Sequence, residues 1–381
     1  MRLLIIPSAE MELCLANGLR GFSVIQADHT FIQMQPDTIR LSLHFLKTGE
    51  WEGNDLRVLP GGETKSMPAS VTTHVKFRTR LHVILLSLIF LHLVPAVVQA
   101  DPADAPPANL IVCGMDEVFI IHPVEGEAGK KLWSWRARER PELPEDLRGR
   151  FATTDECKPL AEGKRILISS SSGGCALVNY PSGRATWYAN VPNAHSIELL
   201  PHDRVVVAAS VGNDKLVVFD LARPGKSITQ TPLESAHGVI WDADRKCLWA
   251  LGFHDLIAYQ LKDWDTETPS LQLVATHPLP DSDGHDLQSV PGSKDLILTT
   301  DQHVYLFDRE THEFRRHPEL GDKVGVKCIS IHPTSGHTAF IQADEPNWWS
   351  GTLRFFPPFS ELSIKPEHIY KARWCDFPAA P

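Results

Sequence analysis

The chain has 381 residues, 43% of them hydrophobic and 22% charged, which excludes a collagen-like or compositionally disordered protein and supplies apolar material for a core. Its formal charge of −10 and isoelectric point near 6.0 exclude the clustered basic surface of a nucleic-acid binder.

Residues 1–66 carry no sustained helical or strand period and no caps around an element. They are expected to be a disordered extension or an over-long start ahead of Met67. From Met67 the order is that of a secretory signal: Lys76, Arg78 and Arg80, an apolar run from Val83 to Leu93, then the small-residue site Val98-Gln99-Ala100. That run is too short for the roughly 20 residues a bilayer demands, and Pro95 interrupts its continuation. Residues 67–100 are therefore expected to be removed before Asp101, giving a secreted or periplasmic protein with no stable membrane span. A Pro/Ala linker, DPADAPPA, occupies 101–108.

The remainder is repetitive. PGSKDLILTTDQHVYLFDRETHEF (291–314) reads as turn, apolar strand, turn, apolar strand, turn, and the segments beginning at Ala161, Pro201, Asp242 and Pro333 follow it. Six residues before Ala161, Pro201, Ala243, Pro291 and Pro333 stand Asp155, His195, His237, His285 and Lys327, spaced 40, 42, 48 and 42 residues apart. Short β-rich runs at a period near 40–45 residues predict four-stranded propeller blades. At the ends, NLIVCGMDEVFIIHPVEGEAGKKLWSW (109–135) supplies three strands and IYKARWCDF (369–377) the missing first one. The prediction is an all-β, six-bladed β-propeller over 109–377, closed by a composite blade that leaves no free inter-blade edge.

The repeats resemble those of WD-like and YVTN-like bacterial β-propellers, without a clean Gly-His and Trp-Asp signature in each blade. NAHSIE and SAHGVIWD look like an uncharacterised family of secreted bacterial propellers. The resemblance covers about residues 109–377 and implies a fold, with no activity attached.

Six cysteines lie beyond residue 100, scattered singly through apolar strands. Cys113 and Cys375 fall on adjoining strands of the composite blade and are a candidate disulfide across the closure. The other four read as small buried hydrophobes.

First strands line a propeller's channel, so their starts converge at one rim. Asp155, Glu156, His195, His237, His285, Lys327 and Arg373 are therefore the candidate ligand-binding residues. His195, His237 and His285 at one height are candidate ligands for a divalent metal ion, with Asn193, Asp283 and Asp286 as orienting partners. Lys327 and Arg373 opposite them suit a small anionic ligand, and Lys327 is a candidate base next to a metal. Two functions follow: a binding propeller taking a small molecule, a carbohydrate or a protein partner at its rim, or a metal-dependent lyase or hydrolase acting on an anionic carbohydrate. Trp348-Trp349 is a candidate stacking platform for a sugar ring, and alternating Trp133 and Trp135 suit the buried face of an outer strand. No GxGxxG, GxxxxGK[ST], GxSxG or HExxH occurs beyond residue 100.

Overall fold

The computed structural model describes residues 109–123, 130–160, 163–365 and 367–377. The expected extension (1–66), export signal (67–100) and linker (101–108) lie outside the described residues.

Among the described residues twenty-four strands form six antiparallel sheets of four. The first sheet contains β1 (Asn109–Gly114), β2 (Val118–Ile121) and β3 (Lys131–Trp135). Next come β4 (Thr154–Pro159), β5 (Arg165–Ser170), β6 (Gly174–Asn179) and β7 (Ala185–Asn190), then β8 (Ala194–Leu200), β9 (Arg204–Ala209), β10 (Lys215–Asp220) and β11 (Ser227–Pro232). The following sheets are β12 (Gly238–Asp242) with β13 (Cys247–Leu251), β14 (Asp255–Lys262) and β15 (Ser270–Pro278), and β16 (Gly284–Ser289) with β17 (Asp295–Thr300), β18 (Val304–Asp308) and β19 (Phe314–Arg316). Last are β20 (Val326–Ile331), β21 (Thr338–Gln342), β22 (Thr352–Phe356), β23 (Ser360–Ser363) and β24 (Ile369–Cys375). Among the described residues one short α-helix, α1 (Glu145–Arg148), sits in the β3–β4 connection between two single 3-10 turns.

β24 pairs with β1, giving the order β24-β1-β2-β3 in the first sheet. The first strands form a ring: β24 packs on β4, β4 on β8, β8 on β12, β12 on β16, β16 on β20, and β20 on β24. The described residues form a six-bladed β-propeller.

Blade-on-blade packing explains the strand compositions. Second strands are covered on both faces, so β9 (RVVVAA) and β17 (DLILTT) are buried along their whole length. Outer strands alternate, as in β7 (ATWYAN), where blades diverge and one face meets solvent. Trp133 and Trp135 share the buried face of outer strand β3 with Ser134 exposed between them, and their indoles donate to Pro181 O at 2.8 Å and Gly183 O at 2.9 Å. Among the described residues no helix is long and apolar enough to cross a membrane.

The Cys113–Cys375 bridge is not formed, and all six described cysteines are free and buried. The reason is register: Cys113 faces Lys371, whereas Cys375 faces Asn109. Four residues along a strand separate the two sulfurs by roughly 13 Å, far beyond disulfide reach.

Candidate functional site

A β-bulge recurs near the start of the inner strands. Pairing steps from Thr154↔Ser170 to Glu156↔Ser169 in β4, and from Ala194↔Ala209 to Ser196↔Ala208 in β8. It steps from Gly284↔Thr300 to Asp286↔Thr299 in β16, and from Val326↔Gln342 to Cys328↔Ile341 in β20. The supernumerary residues are Asp155, His195, His285 and Lys327. In β12, His237 N donates to Leu251 O at 2.9 Å while Gly238 is also paired with Leu251. A bulge leaves its extra residue outside the ladder and re-aims the side chain, which turns a strand start into a ring position. Gly238 follows because a Cβ there would stand 2.7 Å from Leu287 Cβ.

The sixth position is Tyr370, since β24 steps from Cys113↔Lys371 to Gly114↔Ile369. Arg373, expected at the rim, lies three residues deeper along the strand. The composite blade has no turn between its first and second strands from which to count, so the offset used elsewhere had no origin there.

The ring is tightly packed. Asp155 Oδ1 lies 3.3 Å from His195 Nδ1. The His195 and His237 ring centroids are 4.3 Å apart, and those of His237 and His285 are 5.3 Å apart. His285 Nε2 accepts from Lys327 Nζ at 2.7 Å, and the lysine also donates to Asp301 Oδ1 at 3.2 Å. Tyr370 lies 6.4 Å from the His195 ring and meets Trp348 edge to face at 5.2 Å. Burial, helped by the charge of Lys371, pushes the His195 imidazole down to about 3. Burial holds His237 well below the ordinary histidine range and lowers His285 despite Asp301 and Asp283. Burial also raises the Asp155 carboxyl to about 7, against the hydrogen bond from Ser171 and the charge of Lys371.

One step inward is an ionic layer. Arg373 donates to Glu156 Oε1 and Oε2 at 3.0 and 2.8 Å, and to Asp286 Oδ2 and Oδ1 at 2.9 and 2.7 Å. Lys371 Nζ, fully buried, stands 3.3 Å from Asp286 Oδ1 and 3.6 Å from Glu156 Oε2. Burial alone would raise both carboxyls, but the two cations outweigh it and hold them below the usual range. Glu156 and Arg373, expected to contact ligand, are thus engaged with each other, and Arg373 also with Asp286. Asp286, expected to orient His285, instead serves Arg373 and the Ile329 amide.

The metal expectation also changes. Among the described residues, the donor set with all atoms within 4.8 Å of one another is Asp283, His285 and Asp301, not the three imidazoles. Lys327 Nζ already contacts His285 and Asp301 of that set. The same contacts hold Lys327 as an ion-paired hydrogen-bond donor, which removes it from the role of a free base.

Beside Lys327 opens a cavity of about 270 Å³, whose lining includes Asp301, Glu345, Asn347 and Trp348. Of the expected tryptophan pair, Trp348 lines this cavity while Trp349 stacks on His368 at 5.3 Å. Tyr370, Lys371 and Asp301 were not anticipated, although Tyr370 follows Lys327 by 43 residues, within the spacing of the other ring positions.

No curated protein matches the chain. Residues 96–377 match DUF6528, a family of unknown function, and the chain belongs to that family.

Proposed function

We propose that this propeller binds a small carbohydrate at the mouth of its channel, in the cavity between Lys327 and Trp348. The observation that carries this reading is the composition of that cavity: one half-buried indole beside an ammonium, two carboxylates and an amide, from Trp348, Lys327, Asp301, Glu345 and Asn347. An indole face packs against the apolar face of a pyranose, and carboxylate, amide and ammonium groups meet its hydroxyls as acceptors and donors. A volume of about 270 Å³ lies below the roughly 300–1,000 Å³ of drug-sized sites, which favours one or two sugar units. Lys327 is the natural partner for the carboxylate of an acidic sugar, and the charge of Asp301 and Glu345 limits the ligand to one such group. The export-type segment at 67–100 fits a protein working outside the cytoplasm.

The experiment is calorimetric titration with galacturonate, glucuronate, galactose and N-acetylglucosamine, with quenching of tryptophan fluorescence as a second readout. At least one sugar should bind, and Trp348→Ala should weaken it by at least tenfold while Trp348→Phe retains most of the affinity. Failure of all four to bind, or binding indifferent to Trp348→Ala, overturns the reading.

A further inference from the structure

On one side of the ring a carboxyl oxygen of Asp155 and a ring nitrogen of His195 face each other. Asn193 Nδ2 donates to Val211 O at 2.9 Å, which fixes the amide so that its Oδ1 meets His195 Nε2 at 3.0 Å. An amide oxygen only accepts, so Nε2 carries the proton of the neutral imidazole and Nδ1 is left as a lone pair. That lone pair lies 3.3 Å from Asp155 Oδ1, and His195 Nδ1 is buried without a hydrogen-bond partner. The other carboxylate oxygen, Oδ2, accepts from the Ser171 amide. His237 is set the same way: Nδ1 lies 2.9 Å from the Ser235 carbonyl and donates to it, which makes Nε2 the unprotonated nitrogen.

With Asp155 ionised, two lone pairs at this separation call for an electron-poor atom between them, and a proton on the carboxyl is the competing occupant. An imidazole whose outer N–H is held by a carbonyl oxygen is the arrangement that orients metal-ligating histidines. Zinc-to-ligand distances of roughly 2.0–2.2 Å place two tetrahedral ligand atoms about 3.4 Å apart, close to the 3.3 Å between Asp155 and His195. The opposite side of the ring differs, because the chain's own ammonium, Lys327 Nζ, already contacts His285 and Asp301 of the Asp283, His285 and Asp301 set. Lys371 lies one layer deeper with its charge engaged by Asp286 and Glu156.

We propose that Asp155, His195 and His237 hold a divalent cation of the zinc type on this side of the ring, with a fourth position open. The Asp155–His195 edge is already at ligand spacing; His237, whose ring lies 4.3 Å from that of His195, must shift toward the ion with its Ser235 contact kept, since the three donor atoms do not yet all lie within 4.8 Å of one another. The set exchanges one of the three imidazoles expected from sequence, His285, for a carboxylate. It stands independently of the carbohydrate reading.

The test uses chelator-treated protein titrated with zinc or cobalt alone, read by calorimetry and by the visible absorption of four-coordinate cobalt. One equivalent should bind per chain. Asp155→Asn and His195→Ala should abolish stoichiometric binding, whereas His285→Ala and Lys327→Met should retain it. Asn193→Ala leaves every ligand in place and only frees the His195 tautomer, and should weaken the metal by about 10–100-fold; thermal melts verify that each variant folds. The proposal is overturned if wild-type protein takes up no equivalent, as it would were the Asp155–His195 contact bridged by a proton alone. It is overturned equally if His285→Ala abolishes binding and His195→Ala does not.

Discussion

Replacing Arg373 with methionine isolates the cost of the ionic layer while retaining an unbranched apolar side chain. The side chain is 3% exposed and donates four hydrogen bonds to two carboxylates and a fifth to Ile329 O at 3.1 Å. Removing one partner of a buried ion pair costs about 3–5 kcal/mol. Here Lys371 stays close to both acids and offsets part of the loss, which puts the expected destabilisation near 3 kcal/mol, a large share of the roughly 5–15 kcal/mol that holds a domain together.

The pH dependence supplies a second readout. In the wild type, Glu156 and Asp286 are held below the ordinary carboxylate range. Their contribution is present above about pH 4 and is lost as pH falls through the depressed folded values. Without the guanidinium, burial dominates and the folded values rise above the unfolded ones, so the variant loses stability as pH rises from about 4. The gap between the two proteins should therefore be widest near about pH 8 and narrow toward about pH 5. Urea unfolding followed by tryptophan fluorescence measures it. A loss below about 1 kcal/mol, or an equal loss at both pH values, would refute the reasoning.

Two further outcomes concern the core. Trp187 Nε1 is buried without a hydrogen-bond partner, whereas Trp135 Nε1 donates to Gly183 O. Trp135→Phe should accordingly cost about 1–2 kcal/mol more than Trp187→Phe in the same unfolding assay, the difference being the carbonyl left unpaired. Burial pushes the Cys328 and Cys375 thiols up to about 12 and Cys247 up to about 11. All six described cysteines are free and buried, so they should ignore an aromatic disulfide reagent until the protein is unfolded, and a reductant should leave the melting temperature unchanged.

The blade repeat was legible because turn chemistry and apolar strands recur at fixed spacing, and five ring residues were found by counting back from those turns. The bulges that aim them were not legible, since a bulge is a property of pairing and leaves no distinctive residue type. That is why Arg373 was placed at the rim and Tyr370 overlooked: only the register of β24 against β1 separates them by depth. Register likewise decided the cysteines, because adjacency of strands says nothing about which residues stand opposite. Lys371 was missed for a related reason. A lysine in an apolar strand reads as a solvent-facing residue until the carboxylates from two other blades are placed beside it.

The composite blade ties the chemistry of the channel to the order in which the chain is made. Glu156 and Asp286 are both made before β24, the last described strand, which carries the two cations, Arg373 and Lys371, that lie against both acids. Until that strand docks, two acids in the centre of an open ring have no guanidinium and remain hydrated. A ring that closed with a blade too few or too many would bring Arg373 to the wrong depth or angle and strand both carboxylates in the interior. The ionic layer therefore links closure of the circle to neutralisation of its interior: the strand that completes the first sheet also carries Lys371 and Arg373 to the acids of two other blades.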